Sequence, residues 1–165
     1  MYNRFMNQGR QPQYLSFSGI VTNISDFGGN GCSKLFEVQN SNQIVNFVVN
    51  PSTYFVNNEK IYVGMQIIGF YDANVPVILI YPPQYQAVVI GSTTNQMIKV
   101  DRFDENLVSQ DNTLKLNLSP ATEIILTNGQ DYTGSLENKD LIVVYTTSTR
   151  SIPAQTTPEQ IIVMC

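Results

Sequence analysis

Gln43-Ile44-Val45-Asn46-Phe47-Val48-Val49-Asn50-Pro51-Ser52-Thr53 decides the reading of this chain, because Leu114-Lys115-Leu116-Asn117-Leu118-Ser119-Pro120-Ala121-Thr122 repeats its plan. In the first stretch Val45, Phe47 and Val49 alternate with other residues, and in the second Leu114, Leu116 and Leu118 alternate with Lys115, Asn117 and Ser119. A period of two is the mark of a strand with one buried face. Each stretch then runs into Asn-Pro or Ser-Pro. Asn or Ser suits a helix N-cap and Pro suits the first helical position, so a single helical turn is predicted at each. The β-prone Tyr54-Phe55-Val56 and Ile124-Ile125-Leu126 that follow predict a prompt return to strand.

The parallel continues along the chain. Tyr62-Val63-Gly64 is echoed by Tyr132-Thr133-Gly134, and Ile67-Ile68-Gly69-Phe70-Tyr71 by Leu141-Ile142-Val143-Val144-Tyr145. Gln86-Ala87-Val88-Val89-Ile90 is matched with Gln160-Ile161-Ile162-Val163-Met164. Order is kept while the offset drifts from about 69 to about 74 residues, as small loop insertions would make it do. Earlier strands are expected around Phe17, Gly19 and Val21, and in a hairpin from Leu35 to Gln39 and Gln43 to Asn50 about Asn40-Ser41-Asn42. No segment of helical length carries an apolar stripe. The expected fold is all-β: two similar small OB-like barrels or bent sheets from an internal duplication. Residues 1–14 are expected to form a flexible N-terminal arm, 15–91 the first module and 92–165 the second, with Gly91 to Asn95 as a polar linker.

Two segments carry a resemblance. Gly69-Phe70-Tyr71-Asp72-Ala73-Asn74 through Pro82-Pro83-Gln84-Tyr85 is one of them. The other runs from Leu141-Ile142-Val143-Val144-Tyr145 through Ser151-Ile152-Pro153-Ala154-Gln155 to Pro158-Glu159-Gln160-Ile161-Ile162-Val163-Met164. Together they resemble the closing parts of uncharacterised tandem small β-barrel (OB-like) proteins of spore-forming Gram-positive anaerobes. The likeness covers most of both halves and contains no motif tied to an activity. It implies a fold and a spore-surface setting, not a chemistry.

Composition narrows the function. Hydrophobic residues make up 42% of the 165 and charged residues only 13%, so Asn, Gln, Ser and Thr supply most polar positions. Such a surface repels its own copies weakly. Acids outnumber bases 13 to 9, and the net charge is −4. Phosphate neutralisation by Lys and Arg has little to rest on, so nucleic acid is not expected as a partner. No apolar run reaches the ~20 residues of a spanning helix, and Met1 to Ser16 has no signal-peptide pattern. Neither a membrane partner nor Sec export is expected, and synthesis is expected in the cytoplasm.

Candidate chemistry is sparse. With no histidine, neither a Ser-His-Asp nor a Cys-His arrangement can form within the chain. Ser33 and Lys34 are adjacent, which sends them to opposite faces of a strand. Phe27-Gly28-Gly29-Asn30-Gly31 lacks phosphate-loop spacing and reads as a hairpin connection. Asp101, Asp104, Glu105 and Asp111 match no calcium-loop spacing and read as a solvated turn. Asn23-Ile24-Ser25 and Asn117-Leu118-Ser119 fit the glycosylation pattern, a match expected to be chance because Met1 to Ser16 shows no signal-peptide pattern. No catalytic residue, cofactor or metal ligand is assigned.

Phe55 and Phe70 are expected in the core, while Tyr81 and Tyr85, flanking Pro82-Pro83, are candidates for contact with a ligand or partner. Cys32 and Cys165 can pair with each other, join subunits or stay reduced. Two function classes follow. The first is a non-enzymatic structural or interaction protein that assembles with itself or another protein, with the N-terminal arm adding to a neighbour's sheet edge. The second is a soluble module binding a glycan, peptide or other small ligand through Tyr81 and Tyr85.

Overall fold

The computed structural model describes residues 11–165. Two compact units divide between Ser92 and Thr93. Regular structure is almost wholly β; among the described residues the one exception is a short 3-10-like turn at Val56–Asn58, where Asn57 and Asn58 have left-handed φ values of 61 and 52.

The first unit contains β1 (Tyr14–Phe27), β2 (Ser33–Gln39), β3 (Ile44–Val49), β4 (Tyr54–Phe55), β5 (Gln66–Asp72), β6 (Gln84–Gln86) and β7 (Val89–Ser92). Its backbone order is β4-β7-β5-β1-β2-β3-β6. β1 serves two neighbours in turn. Its first half runs antiparallel to β5, from Tyr14 opposite Asp72 to Ile20 opposite Gln66. Its second half runs antiparallel to β2, with a register shift between Val21 and Asn23. The extra residue, Thr22, donates its hydroxyl to Glu37 Oε1 at 2.7 Å. A bulge of this kind bends a strand, which lets one strand leave one partner for another.

β2 and β3 form the hairpin that the alternation predicts. Asn40 Oδ1 accepts from the N–H groups of Asn42 (2.8 Å) and Gln43 (3.0 Å) and so fixes the turn. Phe36, Val38, Val45, Phe47 and Val49 point into one core with Val21, Ile61, Ile67, Ala87 and Ile90. Phe70 is also buried, while Phe55 is half-buried and meets Phe36 edge-on at 6.2 Å. Phe47 fits because Gly69 opposes it: a Cβ at Gly69 would lie 2.6 Å from the Phe47 ring.

β6 and β7 are two pieces of one extended segment, interrupted at Ala87 and Val88. β6 runs parallel to β3, whereas β7 runs antiparallel to β5 and parallel to β4. At the interruption Ala87 N–H donates to Val48 O (3.0 Å) and Val88 N–H to Phe70 O (2.8 Å). The pairing thus passes from β3 to β5 through this one segment. Thr53, buried beside it, donates its hydroxyl to Ala87 O at 2.9 Å.

The second unit contains β8 (Met97–Phe103), β9 (Leu114–Leu116), β10 (Glu123–Leu126), β11 (Lys139–Tyr145), β12 (Ala154–Thr156) and β13 (Gln160–Met164). β11 lies between β8 and β13, antiparallel to both. β10 runs parallel to β13, and β9 runs parallel to β12. Bridges from Phe103 to Ser109 and from Val108 to Lys115 link the end of β8 to β9. The core is Phe103, Leu114, Leu116, Leu136, Leu141, Val143, Ile161 and Val163. Here Thr122 donates its hydroxyl to Pro158 O at 2.7 Å, as Thr53 does to Ala87 O.

Several expectations need correction. Asn50-Pro51 and Ser119-Pro120 start β-turns, not helical turns: Thr53 N–H bonds Asn50 O, and Thr122 N–H bonds Ser119 O, each at 3.0 Å. The Asn50 side chain takes up Ser52 N–H instead of capping a helix. Gly91 and Ser92 are buried strand residues opposite Ile68 and Ile67, so the polar connection is shorter than expected. β9 stops at Leu116, and Leu118 is exposed.

The matching of Gln86 with Gln160 is out of register. Phe70 faces Val89 and Val144 faces Gln160, so Val89 holds the place of Gln160. Ile161, Ile162 and Val163 are all fully buried, and a strand buried on both faces carries no alternation to set its register. The two Tyr-x-Gly stretches also differ. Gly64 has a left-handed φ of 96 and donates to Val21 O, whereas Tyr132 curls over Gly134 to donate to Ser135 O.

The expected N-terminal arm lies mostly outside the described residues. Its last part is held: Gln13 N–H bonds Asp72 Oδ1, Ala73 N–H bonds Gln13 O, and Asn74 Nδ2 bonds Gln11 O.

Candidate interaction surface

The most exposed apolar feature among the described residues is the connection from β5 to β6. Val75, Val77, Ile78, Leu79, Ile80 and Tyr81 are all exposed, with Leu79 at 99% and Tyr81 at 78%. Single exposed apolar residues are ordinary, but a contiguous run of large ones calls for an explanation. No Asp, Glu, Lys or Arg occurs from Ala73 to Ile98.

Three devices hold the loop up. At its base, Asp72 O accepts from Val75 N–H and Asp72 Oδ1 from Asn74 N–H. At its apex, Ile80 N–H reaches back to Ile78 O at 3.1 Å, turning the chain at Leu79. At its exit, Pro83 O accepts from Asn46 N–H and seats the chain on β3. Pro76 stands before the apolar run and Pro82-Pro83 after it, and the Tyr81–Pro82 bond is cis.

The second unit has a connection in the same position, Thr146 to Pro153 between β11 and β12. It is polar apart from Ile152, which is 93% exposed and also precedes a cis proline. Its side chains bond each other and the backbone: Thr149 Oγ1 and Ser151 Oγ are 2.6 Å apart, Ser151 donates to Pro153 O, and Thr149 Oγ1 accepts Gln155 N–H.

Tyr81 and Tyr85 are not alike. Tyr81 ends the exposed run. Tyr85 lies in β6, half-buried, with its ring stacked on Tyr71 at 3.9 Å and 5°. Tyr71 is itself tilted against Phe47 at 6.4 Å. Burial, and next the neighbouring Tyr85, push the Tyr71 phenol up to about 12. One face of Tyr85 is therefore covered by protein.

Of the acidic cluster, Glu105 and Asp111 are exposed in turns and Asp104 is half-buried, but Asp101 departs from the solvated turn expected. Asp101 is buried in β8, where its carboxylate accepts the N–H groups of Arg102 (2.8 Å) and Asp111 (3.2 Å). Burial raises its pKa, opposed by those two N–H bonds. Asp111 pairs with Lys99 and accepts from Ser109 and Thr113. Burial alone would raise its pKa, but the Lys99, Thr113 and Ser109 bonds outweigh it and hold the group at about 2. Asp104 accepts from Asn106 and Val108 N–H groups. These carboxylates shape the loop before β9. Sequence reasoning missed this because charge in a polar segment gives no sign of burial. Among the described residues, no group of three or more His, Cys, Asp or Glu side chains is placed to hold a metal.

The glycine-rich connection between β1 and β2 turns with left-handed φ values of 80, 76 and 77 at Gly28, Gly29 and Gly31. Cys32, beside it, and Cys165 are free and exposed. Among the described residues no helix is long and apolar enough to cross a membrane. No family model, curated protein or solved structure matches the chain.

Proposed function

We propose that this chain is a non-enzymatic assembly protein, in which two related small OB-like barrels form the scaffold and the β5–β6 loop forms the principal contact. The barrel reading is supported by the way the 84–92 segment pairs with β3 and then β5, and by the parallel β9–β12 and β10–β13 pairs of the second unit. The matching hydroxyl bonds of Thr53 and Thr122 support a common origin for the two units. The observation that carries the function is the uncharged, exposed run Val75–Tyr81. Burying a single large aliphatic side chain is worth about 1.5–3 kcal/mol. A partner surface therefore gains from covering the run, and the weakly charged surroundings oppose it little. A spore-surface setting rests on the family resemblance alone, and the assembly reading stands without it.

Sedimentation equilibrium of the purified chain, with and without reductant, tests the proposal. Oligomers that persist under reduction are expected, because the contact is apolar. Dissociation on reduction would shift the contact to Cys32 or Cys165. A monomer at every concentration that also leaves other proteins unbound would overturn the reading.

A further inference from the structure

Two Asn-Gly pairs occur in the chain, Asn30-Gly31 and Asn128-Gly129. Both asparagines are exposed, and each glycine has a left-handed φ, 77 at Gly31 and 86 at Gly129. In such a pair the glycine nitrogen can attack the side-chain amide of the asparagine before it, because no Cβ crowds the approach. From the way the fold holds the two pairs, we infer that Asn30 is a site of spontaneous deamidation and that Asn128 is protected from it. This modification is independent of the assembly proposed above.

The chemistry needs only water. Gly31 N bonds to Asn30 Cγ, the Cγ–Nδ2 bond breaks, and the proton of the attacking nitrogen leaves with the side-chain amine as ammonia. A succinimide ring remains. Water then opens the ring at one carbonyl or the other, leaving aspartate or isoaspartate at position 30. Nothing is oxidised or reduced, and the net charge of −4 becomes more negative by one.

The two electrophiles are matched. Asn30 Oδ1 accepts Cys32 N–H at 3.0 Å, and Asn128 Oδ1 accepts Gln130 N–H at 3.1 Å. Each donor is placed to stabilise the oxyanion that forms on attack.

The nucleophiles differ. Gly129 N–H donates to Leu126 O at 3.0 Å, and Leu126 N–H donates to Gln130 O at 2.8 Å, closing the turn from both sides. Ile125 and Asp131 bridge just beyond it. Attack on Asn128 must first break this turn, which is tied to β10. The β1–β2 ladder instead ends at Phe27 opposite Ser33, and residues 28–32 make no backbone–backbone hydrogen bond among the described residues. Gly31 N–H has no acceptor there and is free to swing toward the Asn30 side chain. The loop also has room for the ring, since a Cβ at Gly28, Gly29 or Gly31 would meet nothing within 4 Å.

The test ages the full chain in mildly alkaline buffer, native and in guanidinium chloride. Peptide mass spectrometry reads the amide-to-acid change at each site. Protection is the denatured rate divided by the native rate, which cancels differences in local sequence. At Asn30 the native rate should stay within about 3-fold of the denatured rate, as expected of a segment that opens at almost no cost. Protection at Asn128 should be at least about 3-fold greater than at Asn30, within the range of about 2- to 10-fold that one ordinary hydrogen bond supplies. A smaller ratio, or a larger slowing at Asn30, would overturn the assignment. Ion exchange of the aged native chain gives a second reading. Asn30→Ser should abolish the first acidic species to form, and Asn128→Ser should leave it. The reverse pattern would move the site to the second unit and overturn the inference.

Discussion

The loops from Asp72 to Gln84 and from Tyr145 to Ala154 leave corresponding strands and reach corresponding parallel pairs, yet they are built from opposite materials. The second is a set of hydroxyls that satisfy one another and nearby backbone. The first is a row of aliphatic side chains left to solvent. A loop that satisfies itself needs nothing further. A loop of large apolar residues held up by prolines costs solvent exposure that its own unit never recovers. The difference teaches that loops in like places of the two units solve opposite problems: one closes on itself, and the other leaves its apolar side chains to solvent.

The comparison can be broken most directly by replacing Val77-Ile78-Leu79-Ile80 with Ser-Thr-Arg-Ser, taken from the polar loop. Association should fall on the order of 100-fold while stability shifts by no more than about 0.5 kcal/mol, since exposed side chains contribute little to the fold. Sedimentation and thermal melting check the two halves of that statement. A melting transition that collapsed would show the apolar loop to be core.

The cores can be set against each other at Gly69. The second unit has fully buried Val143 in the corresponding place, whereas a Cβ at Gly69 runs into Phe47. Gly69→Val should cost about 3 kcal/mol by overpacking, read as a lowered denaturant midpoint. The paired hydroxyls come next. Thr53→Val and Thr122→Val should each cost about 1–2 kcal/mol, because each leaves a buried carbonyl without its donor. Unequal effects would show that the two bonds are not one feature used twice.

The smallest effect is a pH dependence confined to the second unit. Asp111 is held at about 2, below its ordinary 3.8. Its contribution is complete above the ordinary carboxylate range and is lost as the pH falls toward 2. Asp101 is shifted upward, so its protonation favours the folded form and partly offsets that loss. Asp111→Asn should flatten the acid limb and lower stability at neutral pH by about 1 kcal/mol, checked by melts from pH 6 to pH 2.

How much of this could be read from the sequence depends on what each segment leaves exposed. Where one face is wet, as around the β2–β3 hairpin, alternation gives the strand and its face directly. Where both faces are buried, as at Ile161-Ile162-Val163, apolarity is continuous and the register is lost. The loop at Val77-Ile78-Leu79-Ile80 fails for the converse reason. Such a run has a core-strand composition, and only the fold reveals that nothing covers it. Its prolines were the readable signal, since three of them around five apolar residues fit a held-out connection better than a central strand. Tyr81 was legible as exposed by its place beside Pro82. Tyr85 was not, because its stacking on Tyr71 depends on β5 and β6 being brought side by side.

The single segment that bonds β3 and then β5 also dictates when the first unit can be completed. On a growing chain, β1, β2, β3 and β5 are made before residues 84–92, so two strand edges stay open until that last piece arrives. Its contacts reach back across most of the unit, and such distant pairing is slow to form. Both open edges are lined by buried-type residues, Val45 to Val49 on one side and Ile67 to Phe70 on the other. A released chain that lacked residues 84–92 would therefore keep both edges open to aggregation, and those nine residues close the two together.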